Sequence, residues 1–352
     1  MRSFTRQALP GTVVFGHGAL AQLPEQAALL GAARPLLLAG ATPTLTAQVE
    51  ALLPDRVGTW NDIRQHVPAE LADQCHRHAV EVDADLLVCV GGGSTTGLAK
   101  AVALRGGPRI LAVATTYAGS EMTPVWGQSQ DGVKRTGRDP RVLPVTVLYD
   151  PDLLTGLPPG VVGPSGMNAL AHCVEALYAT AAEPLSSLAA VEGARLLARH
   201  LPSAFADSDP HARGDVLWAS CLAGHVFGTV GGSLHHAVCH LLGGRHDLPH
   251  AETHAIVLPH VVQLLLPAVR EQLRPLADVL QVEPEGLPGA LWDVGAAVNI
   301  PVGLESVGMP QADLGAAAQA LLDKDPPSPL PLDLARARQL LDDAFAGRRP
   351  VS

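Results

Sequence analysis

The chain has 352 residues, enough for two domains with separate cores. Its 47% hydrophobic and 16% charged content is globular rather than disordered, and with aromatics at 3% the packing falls to Leu, Val and Ala. A formal charge of −10 argues against nucleic acid or an anionic membrane surface as partner, and means that an acidic substrate needs a local cationic pocket. Neither an early signal-type segment nor an uninterrupted apolar run of membrane-spanning length is visible. Cys75, Cys89, Cys173, Cys221 and Cys239 show no paired spacing, which fits reduced thiols and predicts a cytoplasmic protein.

In chain order, Pro35 to Gly40 reads as a buried strand ending in glycine. A second strand runs from Ala84 through Val90 into Gly91-Gly92-Gly93-Ser94-Thr95-Thr96-Gly97, followed by a helical stretch, Leu98 to Leu104. Arg109 to Ala114 is a third strand, entering Thr115-Thr116-Tyr117-Ala118-Gly119-Ser120-Glu121, and Pro144 to Tyr149 is a fourth. Alternation of this kind implies a mostly parallel sheet with helices on its faces. Leu154 to Gly166 reads as a breaker-rich junction, and the patterns beyond it are helical: Met167 to Thr180, Leu185 to Ala206, Leu217 to Gly228, His235 to Leu242 and Ile256 to Leu266. The expected organisation is an α/β N-terminal dinucleotide-binding domain, 1–155, and an all-α catalytic domain, 156–352.

A strand feeding Gly91, Gly92, Gly93, Ser94 and Thr95 into a helix suits phosphate. Glycines admit close backbone approach, and the helix N-terminus presents free N–H groups. Alone, such a loop also reads as a tight turn with a helix cap. The second loop, with Thr115, Thr116 and Ser120, favours a dinucleotide, either NADH or NADPH. No carboxylate follows the first strand to select the ribose hydroxyl, unless the more distant Glu50 does so.

Seven of the fifteen histidines fall between Leu234 and His260, interleaved with apolar residues, which suggests a cleft wall. Asn168 with His172, His236 with His240, and His250 with His254 share i, i+4 spacing and hence helix faces. Each pair alone is compatible with satisfied core histidines; together they can line one pocket. A zinc-ribbon reading of Cys239 fails for want of a second cysteine at suitable spacing. A metal, if present, would use His172, His236 and His250, but the neutral Asn168 is a poor substitute for a carboxylate. The expectation is that no metal is required.

These motifs carry a resemblance. GGGST, TTYAGSE, GMNALAHCVEAL and HHAVCHLLGG…LPHAETHAIVLPH look like the iron-containing alcohol dehydrogenase superfamily and, within it, the maleylacetate reductase branch; the likeness runs from Pro10 to Pro350. It implies a dehydroquinate-synthase-like architecture, a homodimer and an active site in the cleft between the domains. In metal-dependent relatives the ligands are an Asp, a His four later and two His fourteen apart, matching Asn168, His172, His236 and His250 here. The reductase branch is similar in lacking the Asp. It implies NAD(P)H-dependent reduction of the carbon–carbon double bond of an unsaturated keto-dicarboxylate, within aromatic-compound degradation. His172, His236 or His250 would then stabilise the developing oxyanion and His240 or His254 would supply the proton. Asn168 and Arg138 are expected at the substrate. Arg138 shares a presumed loop with Lys134, Arg135 and Arg141, which also reads as a solvated basic turn. Ala237 stands where such reductases often carry Lys, so one substrate carboxylate loses a cation. Competing readings are a metal-dependent alcohol or polyol dehydrogenase acting on a carbonyl, a dehydroquinate-synthase-like lyase, and a non-catalytic NAD sensor.

Overall fold

Short, uninterrupted apolar runs become strands because both of their faces are covered. In the computed structural model, which describes Phe4, Ala8, Leu9 and residues 11–130 and 133–351, the backbone divides into two compact units: Ala8–Leu157, and a second from Pro158 onward. Pro10, where the resemblance begins, and the side chain of Lys134 lie outside the described residues.

The first unit comprises β1 (Thr12–Phe15), α1 (Leu23–Leu29), β2 (Pro35–Ala39), α2 (Pro43–Leu52), β3 (Gly58–Trp60), α3 (Ala69–Glu81), β4 (Leu86–Gly91), α4 (Gly93–Leu104), β5 (Arg109–Ala114), β6 (Val125–Gln130), β7 (Val133–Arg138) and β8 (Thr146–Tyr149). Six strands form a parallel sheet in the order β1-β8-β5-β4-β2-β3. The chain leaves β2 outward to β3, then returns across β2 to β4 and proceeds the other way. The switch in direction therefore lies between β2 and β4, and ligands of such sheets bind beyond the strand C-termini at that point. Leu37, Val88, Leu111 and Leu148 pack one sheet face against Leu23 and Ala27 of α1 and Val49 of α2.

The second unit is helical throughout its described residues: α5 (Pro159–Tyr178), α6 (Pro184–Phe205), α7 (Pro210–Val230), α8 (Leu234–His246), α9 (His250–Leu280), α10 (Leu287–Ala297), α11 (Leu314–Asp323) and α12 (Leu334–Ala346). Two expectations need correction. The presumed junction up to Gly166 is largely the first turns of α5, whose glycines serve packing: a Cβ on Gly166 would lie 2.3 Å from Leu201 Cδ1 and one on Gly163 2.6 Å from the Val298 carbonyl. The basic segment 134–138 is no loop but strand β7, paired antiparallel with β6. Helix α9 is long and apolar enough to cross a membrane, with mean hydropathy 1.3, yet 67% of that window is buried within the unit, as in a core helix. Its non-helical residue, Val269, follows Pro267, whose ring disrupts the hydrogen-bond ladder.

One buried cation fixes the loop after β5. Lys100 of α4, 1% exposed, donates from Nζ to the Ser120 carbonyl (2.6 Å), the Thr123 hydroxyl (2.9 Å) and the Val125 carbonyl (2.8 Å). Burial pulls it down to about 7, against the attraction of Glu121, itself buried and pushed up by desolvation. Tyr149 donates to Glu121 Oε1 at 2.6 Å. Lys100 thus joins α4, the 115–123 loop and β6. Lys100→Met, which removes three hydrogen bonds tying the 115–123 loop and β6 to α4, is expected to destabilise this unit by about 3 kcal/mol in chemical denaturation.

Candidate active site

The glycine segment lies at the switch point. Gly92 is the N-cap of α4, in extended conformation and without a side-chain cap, and the first backbone bond of the helix runs from Thr96 N to Gly92 O (3.1 Å). The N–H groups of Gly93, Ser94 and Thr95 therefore have no carbonyl one turn back to bond. The neighbouring strand ends are stitched to this turn: Gly40 N donates to Val90 O (2.9 Å) and Thr115 N to Gly91 O (3.2 Å). A Cβ on Gly40 would meet Thr95 Oγ1 at 1.8 Å, and one on Gly92 would meet Thr116 Cγ2 at 2.7 Å. Only bare backbone fits. This cradle, beside the half-buried Thr115, Thr116 and Ser120, suits a pyrophosphate, so the residues fit a dinucleotide. Glu50 is already engaged: its Oε1 accepts from the Thr59 hydroxyl (2.6 Å) and pairs with Arg56 (3.4 Å).

Of the basic residues, Arg141 is held on Asp139 through Nε (3.0 Å) and Nη2 (2.7 Å to the other oxygen), the bland outcome for that position. Arg138 closes β7 opposite Val125 and is exposed.

In the second unit, α5 carries Asn168, His172 and Glu175, α8 carries His235, His236, Cys239 and His240, and α9 begins with His250 and His254. The five histidines singled out in the sequence form one connected set of rings. His172 stacks on His236 (centroids 5.1 Å apart) with Phe227 of α7 against both (4.5 and 4.2 Å). His236 meets His254 edge-on at 4.6 Å, His254 meets His250 at 4.3 Å, and His250 stacks on His240 at 5.9 Å. Asn168, 5% exposed, lies one turn before His172 on α5.

Sequence reasoning missed Glu175. It is 0% exposed, and its carboxylate accepts the backbone N–H of Ser233 (2.7 Å), that of His236 (3.4 Å) and a short contact from His236 Nδ1. Burial pushes it up, while the nearby His235 ring and the backbone donors of Ser233, His235 and His236 pull it back. This contact places a proton on His236 Nδ1 and fixes the ring's tautomer and orientation. The available signal was its position, three residues after His172 and so on the same helix face. His235, also missed, is fully buried, donates from Nε2 to the His254 carbonyl (3.1 Å), and burial takes it down to about 4. His254 is 0% exposed with neither ring nitrogen hydrogen-bonded; burial and the neighbouring imidazoles hold it neutral, well below the usual histidine range.

The comparisons agree with this architecture. Residues 10–151 match the model of the iron-containing alcohol dehydrogenases, and residues 164–343 match that of the C-terminal part of the Fe-containing alcohol dehydrogenase family. The chain belongs to the iron-containing alcohol dehydrogenase family. That membership makes it an NAD(P)H-dependent oxidoreductase. It is 42% identical to a maleylacetate reductase of Burkholderia cepacia, covering 99% of this chain and 100% of that protein. The crystal structure of maleylacetate reductase from a Rhizobium species superposes with a TM-score of 0.92 at 40% identity, covering 99% of this chain and 100% of the other. An iron-containing alcohol dehydrogenase from Corynebacterium glutamicum gives 0.91 at 35%, covering 99% of both chains.

The family's name implies iron, and the residues at the family's ligand positions here do not fit it. Asn168 supplies no charge, and the rings of His172 and His236 stack with planes 21° apart. Among the described residues the convergent groups of possible ligands are His235/Cys239/His254, His240/His250/His254 and Glu175/His235/His236; none unites His172, His236 and His250.

Gly92→Ala is expected to weaken NADH binding by about tenfold or more, read by fluorescence titration, because its methyl group collides with Thr116. Glu175→Gln is expected to lower kcat by about 10²- to 10⁴-fold and shift its pH profile, with KM for the nucleotide unchanged. An unaltered profile would reduce Glu175 to a packing role.

Proposed function

We propose that the chain is a maleylacetate reductase, reducing the carbon–carbon double bond of maleylacetate to give 3-oxoadipate with either NADH or NADPH and without a metal. The observation that carries this reading is the connected, carboxylate-poor histidine cluster around Asn168, supported by the maleylacetate reductases at about two-fifths identity over nearly the whole chain.

The reduced nicotinamide supplies hydride to the alkene carbon β to the ketone. The glycine cradle, with Gly91, Gly92, Gly93, Ser94, Thr95, Thr115, Thr116 and Ser120, binds the dinucleotide. With Glu50 tied to Arg56 and Thr59, no acidic residue follows β2 to repel a 2′-phosphate, which supports use of both nucleotides. As hydride adds, charge moves to the ketone oxygen, and a ring N–H from His172, His236 or His250 stabilises the enolate. Because Glu175 holds the Nδ1 proton of His236, Nε2 of that ring donates to the substrate only as an imidazolium, whose charge the Glu175 carboxylate balances. The α-carbon then takes a proton. The sequence left His240 and His254 as donors; His254 is sealed and held neutral, so half-buried His240 is the better acid and His254 a wall of the pocket. Asn168 offers its amide to the substrate, and exposed Arg138 anchors a carboxylate. Ala237 supplies no cation, so the second carboxylate is held by neutral donors.

We also propose a cytoplasmic protein without nucleic-acid or membrane partners, supported by the net charge of −10 and five buried cysteines outside any disulfide, and a homodimer, as the resemblance implies. The expected place of the reaction is the breakdown of aromatic compounds.

The deciding assay follows nicotinamide absorbance with maleylacetate, NADH or NADPH, and a chelator present throughout. Turnover with both nucleotides is expected, and His240→Ala should reduce kcat by on the order of 10²-fold. Activity that disappears with the chelator and returns with iron would mark a metal-dependent dehydrogenase instead.

A further inference from the structure

We propose that His240, His250 and His254 form a site for a zinc-class divalent cation, built from a different set of residues than the family's metal positions, and that filling it arrests the enzyme. The arrest rests on the catalytic reading above; the binding does not.

The three imidazoles offer ring nitrogens all within 4.8 Å of one another. Tetrahedral zinc with bonds of about 2.0–2.1 Å wants its nitrogens about 3.4 Å apart, so modest side-chain rotations close the site. His250 and His254 stand four residues apart in the first turns of α9, on one helix face, and His240 comes from α8. His254 supplies the independent reason to expect a ligand. It is wholly buried, yet neither ring nitrogen has a hydrogen-bond partner, a state that proteins rarely leave uncompensated. His240 and His250 are half-buried, which gives a cation a route from solvent.

Neutral imidazole favours zinc and copper over magnesium or calcium, and three such ligands leave a fourth position for water. The rival triad, His235, Cys239 and His254, is a poorer host. All three are at most 1% exposed, and His235 Nε2 already bonds the His254 carbonyl at 3.1 Å. His250 is the single residue shared with the positions used by metal-dependent relatives, so the cation would sit away from His172. A coordinated nitrogen of His240 has no proton to give and one of His250 no N–H to donate, hence the arrest.

The test is calorimetric titration of the chelator-treated full chain with zinc chloride, in parallel with NADH oxidation. One zinc per chain is expected. His240→Ala and His254→Ala should weaken binding by about tenfold or more, while His172→Ala and Cys239→Ser stay within about twofold of wild type. Should His254→Ala fail to fold, half-buried His240→Ala carries the comparison. Absence of binding overturns the site, as does loss of binding in Cys239→Ser or His172→Ala, which would move it to the rival triad or to the family positions. Turnover should fall along the same zinc curve and return with a chelator; full turnover at saturating zinc overturns the arrest. Failure of maleylacetate to support any NADH oxidation would sink the reductase reading and leave the calorimetry to judge the site.

Discussion

A carboxylate with no exposure to water, Glu175, sets the geometry on which the histidine cluster depends. An isolated carboxylate so deeply buried would be neutral or would unfold its surroundings, because desolvation strongly disfavours the charge. Here the N-terminus of α8 answers it, with the N–H groups of Ser233 and His236 and the ring of His236 all turned toward one residue of α5. The arrangement couples two helices, a cap and a buried imidazole through a single group. Rings that touch His236, including His172, Phe227 and His254, inherit their placement from it.

The first unit uses the complementary device. Lys100 is almost as deeply buried as Glu175, and its partners are carbonyl and hydroxyl oxygens of the loop that follows β5 and of the start of β6. In each unit a buried ion gathers backbone groups that packing alone would leave unordered. The cost of desolvation is offset only when every partner is in place, so such ions specify geometry more than they add stability.

How much of this was legible in the sequence follows from the range of each interaction. The buried strands at Pro35–Ala39, Leu86–Gly91 and Arg109–Ala114 show as apolar runs because both sheet faces are covered, and the glycine turn shows because only glycine fits there. Strands β1 and β3 did not show: they are short, at the sheet edges, and only partly buried. Strand β7 reads as a loop in the sequence because Thr136, Gly137 and Arg138 lack an apolar alternation. The glycines of α5 read as breakers, since the helix faces that need their small size, at Leu201 and Val298, are supplied by residues distant in sequence. Helical spacing revealed the histidine pairs but not Glu175 or Lys100. A lone Glu or Lys on a helix is ordinarily a solvated residue, and its burial exists only once other segments fold around it.

The replacement of a carboxylate by Asn168 has an electrostatic logic that extends past metal affinity. A metal-dependent site balances the carboxylate's charge with a dication; remove the dication and an Asp at this position would face the imidazoles and the substrate uncompensated. In the proposed reaction maleylacetate carries two negative charges, and reduction develops a third on the ketone oxygen. A like charge about 5 Å away costs about 3 kcal/mol at an effective dielectric of 20, near two orders of magnitude in rate if it opposes the transition state. Asparagine keeps the shape and hydrogen-bonding capacity of the side chain while removing that repulsion. His254 is held neutral by burial and Glu175 is engaged by His236, so on the proposed reading the imidazoles add no negative charge where the anion grows. In the proposed reading a neutral Asn168 and chemistry without a metal belong together, because neither leaves an uncompensated negative charge beside an anionic transition state.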